Sequence, residues 1–162
     1  MLESLVSRIF PFSKRKIRLR HILHLGCLME RQAEEFYRQF ADQVKDRDVR
    51  ELCLEIADQE RNHFGFIQDI LSKWKPLVVN KSDLKAMDAD GRLRRLFLSP
   101  PDPDGTKKDF IEYAMHEEEK MVYFYRNFEK EFGNEWRKTK LWRMVEEEVE
   151  HVKRLESILS KL

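Results

Sequence analysis

Cysteine is almost missing from this chain: Cys27 and Cys53 are the only two in 162 residues, and they form no Cys-x-x-Cys. A disulfide framework, a zinc ribbon and a rubredoxin-type iron site are thereby excluded within these residues. Two isolated thiols fit a reducing compartment, so a cytoplasmic location is expected. Net charge is scarce as well. Lys and Arg number 31 against 30 Asp and Glu, a formal balance of +1, which excludes a nucleic-acid binder working by bulk charge. No apolar run approaches the roughly 20 residues needed to cross a bilayer. The opening MLESLVSRIF lacks the ordered basic, apolar and small-residue sections of a secretory signal. Gly and Pro number five each, most of them between residues 76 and 105. The remainder is rich in Leu, Glu, Lys, Arg, Gln and Met, the better helix formers. One all-α domain is the expectation.

Apolar residues at spacings of three and four mark four long helices, at about residues 16–45, 47–74, 107–132 and 135–161. Asp46 and Asn134 are both good helix N-cap residues. Gly133, just before Asn134, suits a left-handed helix end. Short joints at these two places predict two antiparallel helix hairpins. Residues 75–106 then form a long crossover, with short helix between 82 and 98 interrupted near Gly91.

What the chain does have is an internal repeat. Glu30, Glu60 and His63 recur 88 positions later as Glu118, Glu148 and His151, and Phe36-Tyr37 recurs at the same offset as Phe124-Tyr125. Glu30 and Glu60 straddle the first joint about equally, as Glu118 and Glu148 straddle the second, so antiparallel partners hold their carboxylates at one height. Glu60 with His63, and Glu148 with His151, share a helix face at i and i+3. One carboxylate from each of two helices plus Glu-x-x-His from each of the other two is the inward ligand set of carboxylate-bridged di-iron or di-manganese bundles. Four carboxylates and two neutral imidazoles suit iron or manganese, and four negative charges match two divalent ions. An isolated Glu-x-x-His reads more simply as a solvated helix pair; the repeat reverses that preference.

The residues Glu30-x-x-Ala33-x-x-Phe36-Tyr37, Glu60-x-x-His63, Glu118 with Phe124-Tyr125, and Glu148-x-x-His151 resemble the ferritin-like superfamily, and within it the rubrerythrin-like and bacterioferritin-like di-iron proteins. The resemblance spans about residues 16–161. It implies a ferritin-like four-helix bundle over 16–162, two iron ions with manganese as the alternative, and neither haem nor flavin. It makes Glu60 and Glu148 bridging ligands, Glu30 and Glu118 terminal ones, with His63 and His151 holding one ion each. Tyr37 and Tyr125 resemble the tyrosines that hydrogen-bond carboxylates in this family. The implied activity is an oxidoreductase reacting Fe(II) with dioxygen or hydrogen peroxide in oxidative-stress defence. A separate electron-donor protein and a homodimer are the implied partners. Two departures stand out. Met115 and Met121 occupy the positions one turn from Glu118 where rubrerythrins usually carry a further carboxylate, and no rubredoxin domain is present. Iron storage in a cage, or an interaction module with a vestigial site, are the rival readings.

The remaining candidates have plainer readings. Cys27 and Cys53 read as small core residues, and His21, His24 and His116, without repeat partners, as surface residues. Residues 1–15 combine an amphipathic Leu2, Leu5, Val6, Ile9 and Phe10 with a following basic run. That segment packs on the bundle or a partner subunit, with contact to an anionic membrane surface as the alternative.

Overall fold

The helix-forming composition becomes four helices in the computed structural model, which describes residues 19–73 and 104–162; no strand occurs among the described residues. Helix α1 runs Leu19–Gln43, α2 Arg47–Lys73, α3 Lys107–Lys138 and α4 Trp142–Leu159. The readings for residues 1–15 and for the crossover through residue 103 lie outside the described residues. No described helix is long and apolar enough to cross a membrane.

The first joint is three residues long, and Asp46 caps α2 by accepting from the Val49 amide at 3.1 Å. The other oxygen of Asp46 meets Lys107 Nζ at 2.5 Å, tying this turn to the start of α3. Helix α3 opens with a reciprocal capping box. The Asp109 amide donates to Thr106 Oγ1 at 3.2 Å, and the Thr106 amide to Asp109 Oδ2 at 2.7 Å.

The second joint falls at Gly133 as expected, but the helix that follows it is interrupted at residues 139–141 instead of running on unbroken. Gly133 leaves helical geometry (φ 40°, ψ −108°), and helix resumes as far as Lys138. Direction reverses at Gly133, since His151 meets Glu118 at 3.1 Å and the Trp136 ring lies 6.0 Å from that of Tyr125. Thr139, Lys140 (φ 60°) and Leu141 then interrupt the returning helix, so α4 begins at Trp142. Asn134 lies within a helical stretch. Trp136, in the same stretch, is fully buried, and its carbonyl accepts from the Thr139 hydroxyl. Burying an indole is worth a few kcal/mol, which fastens this short stretch to the core beside Tyr125.

Contacts fix the helix directions. Arg38 pairs with Asp58 while Glu30 faces His63, so α1 and α2 are antiparallel. Tyr37 bonds Glu118 while Tyr125 bonds Glu30, which sets α1 antiparallel to α3. The series Glu55–Arg154, Gln59–His151 and His63–Glu147 sets α2 antiparallel to α4. Helices α2 and α3 consequently point the same way.

The buried side chains form two apolar clusters. One contains Ile22, Leu25, Ile67, Met121, Trp136 and Met144; the other contains Phe40, Ile56, Ala57, Phe110, Ile111 and Leu155. Between them in sequence, on every helix, lie the buried acids and imidazoles: Glu30, Glu60, His63, Glu118, Glu148 and His151. A polar layer is thus sandwiched between two dry ones.

Candidate metal centre

Each helix delivers its polar residues inward because they sit on its apolar stripe. Glu30 follows Ile22, Leu23 and Cys27 at helical spacing, Glu60 and His63 lie between Ile56 and Ile67, and Glu118 lies between Ala114 and Met121. The flanking acids point elsewhere: Glu117 pairs with Lys120 at 2.6 Å and Glu119 with His116 at 3.4 Å.

All six residues singled out by the repeat meet in one place. Glu30, Glu60, His63 and Glu148 form one group, and Glu60, Glu118, Glu148 and His151 the other; in each, one ligand atom per residue lies within 4.8 Å of the rest. Glu60 and Glu148 are common to both. His63 Nδ1 lies 2.8 Å from Glu148 Oε1, 3.5 Å from Glu30 Oε2 and 3.6 Å from Glu60 Oε2. His151 Nδ1 lies 3.1 Å from both Glu60 Oε1 and Glu118 Oε2, and 3.2 Å from Glu148 Oε2. The two imidazoles face each other across the site with ring centroids 6.2 Å apart.

Do these residues fit a pair of cations? Buried polar atoms are normally paired. Here Glu30 Oε2, both oxygens of Glu60, His63 Nδ1 and Glu148 Oε1 lack a hydrogen-bond partner. Some of these approach one another closely, as His63 Nδ1 does Glu148 Oε1, but without hydrogen-bond alignment. A concentration of misdirected lone pairs inside a dry sandwich fits divalent cations, and carboxylate with imidazole is the donor set that iron and manganese accept.

Protons balance the charge when metal does not. Burial and the facing Glu148, Glu118 and Glu30 hold Glu60 well above the usual carboxylate range. Burial and Glu148 push Glu118 up to about 7. For Glu148, burial and Glu30 act upward, but its contacts with His151 and His63 prevail and hold it low. Burial disfavours the charged imidazoles, yet the surrounding carboxylates outweigh it. His63 is raised by Glu148, Glu30 and Glu60, and His151 is raised to about 12 by Glu118, Glu148 and Glu60.

The tyrosines cross between the halves of the repeat. Tyr37 donates to Glu118 Oε1 and Tyr125 to Glu30 Oε1, so each tyrosine serves the acid of the other half. Each carboxylate is left with its second oxygen facing the interior. Burial, reinforced by the adjacent Glu118 or Glu30, raises both phenols well above their ordinary range, so they stay donors.

Two further residues escaped sequence reasoning. His63 Nε2 meets Glu147 Oε2 at 2.6 Å, and His151 Nε2 meets Gln59 Oε1 at 2.7 Å. These outer partners accept the Nε2–H, so that once a cation displaces the proton on Nδ1 its lone pair faces the centre. The signal was available, since Gln59 and Glu147 also stand 88 positions apart, each just before a Glu-x-x-His. Cys27 and Cys53 are buried, and burial raises each thiol to about 12, as inert core residues require. His116 is exposed, in line with its surface reading, whereas His24 is half-buried.

Gly26 explains how Tyr125 reaches Glu30. A Cβ there would stand 3.0 Å from the Tyr125 hydroxyl and 3.2 Å from Ile67 Cδ1. Gly26→Ala gains up to about 1 kcal/mol of helix propensity but overpacks the core by about 1–3 kcal/mol. We expect a net loss near 1 kcal/mol in denaturant titrations of the metal-free protein. In a Tyr125→Phe background, where the hydroxyl is gone, the same substitution should become neutral or stabilising.

No curated protein and no solved structure matches the chain. Residues 21–91, which carry Glu30, Glu60 and His63, match the rubrerythrin family model.

Proposed function

We propose that the chain is a ferritin-like four-helix bundle, its hairpins joined by a crossover through residues 75–106, that binds two iron ions and reacts Fe(II) with dioxygen or hydrogen peroxide. The observation that carries this reading is the pair of overlapping buried ligand groups sharing Glu60 and Glu148. Glu30, Glu60, His63 and Glu148 would hold one ion, and Glu118, Glu60, Glu148 and His151 the other; manganese suits the same donors. When bound, the metal pair supplies the electrons that reduce the oxidant.

The chain's own residues do the rest. Tyr37 and Tyr125 orient the terminal carboxylates, while Gln59 and Glu147 fix the imidazoles with Nδ1 inward. The apolar clusters on either side exclude bulk water, strengthening every electrostatic contact between them. Electrons for a second turnover come from a separate donor protein, in a cytoplasmic setting. A homodimer is the assembly we favour.

The test is anaerobic loading with Fe(II), followed by measured additions of hydrogen peroxide or air while near-ultraviolet absorption is recorded. One peroxide, a two-electron oxidant, should be consumed per pair of Fe(II), with absorption rising in step. Bound Fe(II) that stays unoxidised would contradict the proposal. Uptake of many irons per chain into a large particle would favour storage instead, and failure to bind iron would favour an interaction module.

A further inference from the structure

The ligands of the centre and the tyrosines that bond them are chemically matched across the repeat. Glu30 matches Glu118, Glu60 matches Glu148, His63 matches His151 and Tyr37 matches Tyr125, whereas the residues behind the imidazoles differ: Gln59 in one half and Glu147 in the other. Their geometry is nearly the same, with Nε2 to oxygen distances of 2.6 Å for His63–Glu147 and 2.7 Å for His151–Gln59. The charge of the acceptor is the chemical difference between them. A carboxylate accepting the outer N–H makes an imidazole a stronger electron donor than a neutral amide does, and such outer partners move metal affinity by about 10–100-fold.

We propose that Glu147 and Gln59 make the two metal positions unequal, the His63 position binding its ion more tightly and the His151 position more weakly. This rests on the two-metal reading above. The ring nitrogens facing the centre are otherwise alike: each imidazole is buried, and each Nδ1 faces three carboxylates, Glu60 and Glu148 plus one terminal Glu. Glu147 is 54% exposed, so water tempers its effect and places the expected difference toward the lower end of that range. A pair of unlike positions gives the centre a defined order of filling, and leaves the more weakly held ion beside His151 and Gln59.

Two-step binding alone proves nothing, because two cations sharing Glu60 and Glu148 repel each other in any case. The acceptor swaps isolate the effect. Cobalt(II) is the probe, titrated anaerobically into the purified chain and followed by calorimetry and by its visible absorption bands. Glu118→Ala should keep the tighter position and Glu30→Ala the weaker, with affinities about tenfold apart. Glu147→Gln, placed in the Glu118→Ala background, should weaken binding about tenfold and shift the cobalt bands. Gln59→Glu, in the Glu30→Ala background, should tighten it by a similar factor.

Glu147 is exposed and Gln59 half-buried, and both swaps are nearly isosteric, so the metal-free melting curves should change little. The full chain carrying both swaps should reverse the order of filling. If the chain binds two cobalt ions but neither swap alters affinity or spectrum, the inequality is wrong while the two-metal reading stands. If the chain binds no pair of ions, both fall.

Discussion

Glu148→Ala is expected to abolish the metal-dependent gain in heat stability entirely, whereas Glu30→Ala or Glu118→Ala keeps about half of it. Glu148 and Glu60 belong to both ligand groups, while each terminal acid belongs to only one. An ion present at a hundred times its dissociation constant adds about 2.7 kcal/mol to folding. Two positions then add about 5 kcal/mol, and at this chain length each kcal/mol moves Tm by about 2–4 °C. The wild type should therefore melt some 10–20 °C higher with saturating Mn(II) than without, and the terminal-acid variants roughly half as much. Each variant is compared with its own metal-free form, so any direct damage to folding cancels. An undiminished Mn(II) shift in Glu148→Ala would remove that residue from the bridging role.

The metal-free protein should lose stability as pH rises from 5 to 8, the reverse of the acid sensitivity usual for buried, ion-paired carboxylates. Glu118 titrates at about 7 in the folded chain against an ordinary 4.5, so the folded state takes up the extra proton. Its contribution is complete below about 4.5 and is lost as pH climbs through about 7, a change on the order of 3 kcal/mol. Glu60, also raised, acts in the same sense. The imidazoles add to it, because their folded values lie above the ordinary 6.5 and their contribution fades from there toward about 12 for His151. Glu148, held low, works the other way and limits stability only in acid below about 4.5. Metal takes the place of these protons, so saturating Mn(II) should flatten the decline. Glu60→Gln, neutral at every pH and nearly isosteric, should raise the metal-free Tm at pH 8 while weakening metal binding at both positions. Thermal melts at pH 5, 6.5 and 8 decide the matter: a metal-free Tm that climbs with pH would mean the site is not proton-balanced as described.

Much of this was readable in one dimension because helices impose a period on sequence. The stripe of Leu52, Ile56 and Ile67 determines which way Glu60 and His63 face, and Asp46 marks the first turn by its capping chemistry. Gly133 marked the second turn by its left-handed geometry, but no residue type announced the break in the following helix at residues 139–141. Trp136, which anchors the stretch before that break, looks like any other aromatic until its burial is seen. Relations between helices were the least legible. The offset of 88 paired Tyr37 with Tyr125, but only the packing of α1 against α3 reveals that each serves the other half's acid. Gln59 and Glu147 were passed over for a similar reason: an amide and a carboxylate do not look like a repeat until both are found behind an imidazole.

The gap between the apolar clusters is the centre of the account, and it can be observed directly. Crystals of the chain loaded anaerobically with Fe(II), measured on either side of the iron absorption edge, report metal positions without assumptions about the protein. The account predicts two anomalous peaks per chain, both contacting Glu60 and Glu148, one beside Glu30 and His63 and the other beside Glu118 and His151. No peak there, or a single one remote from Glu60 and Glu148, would contradict it.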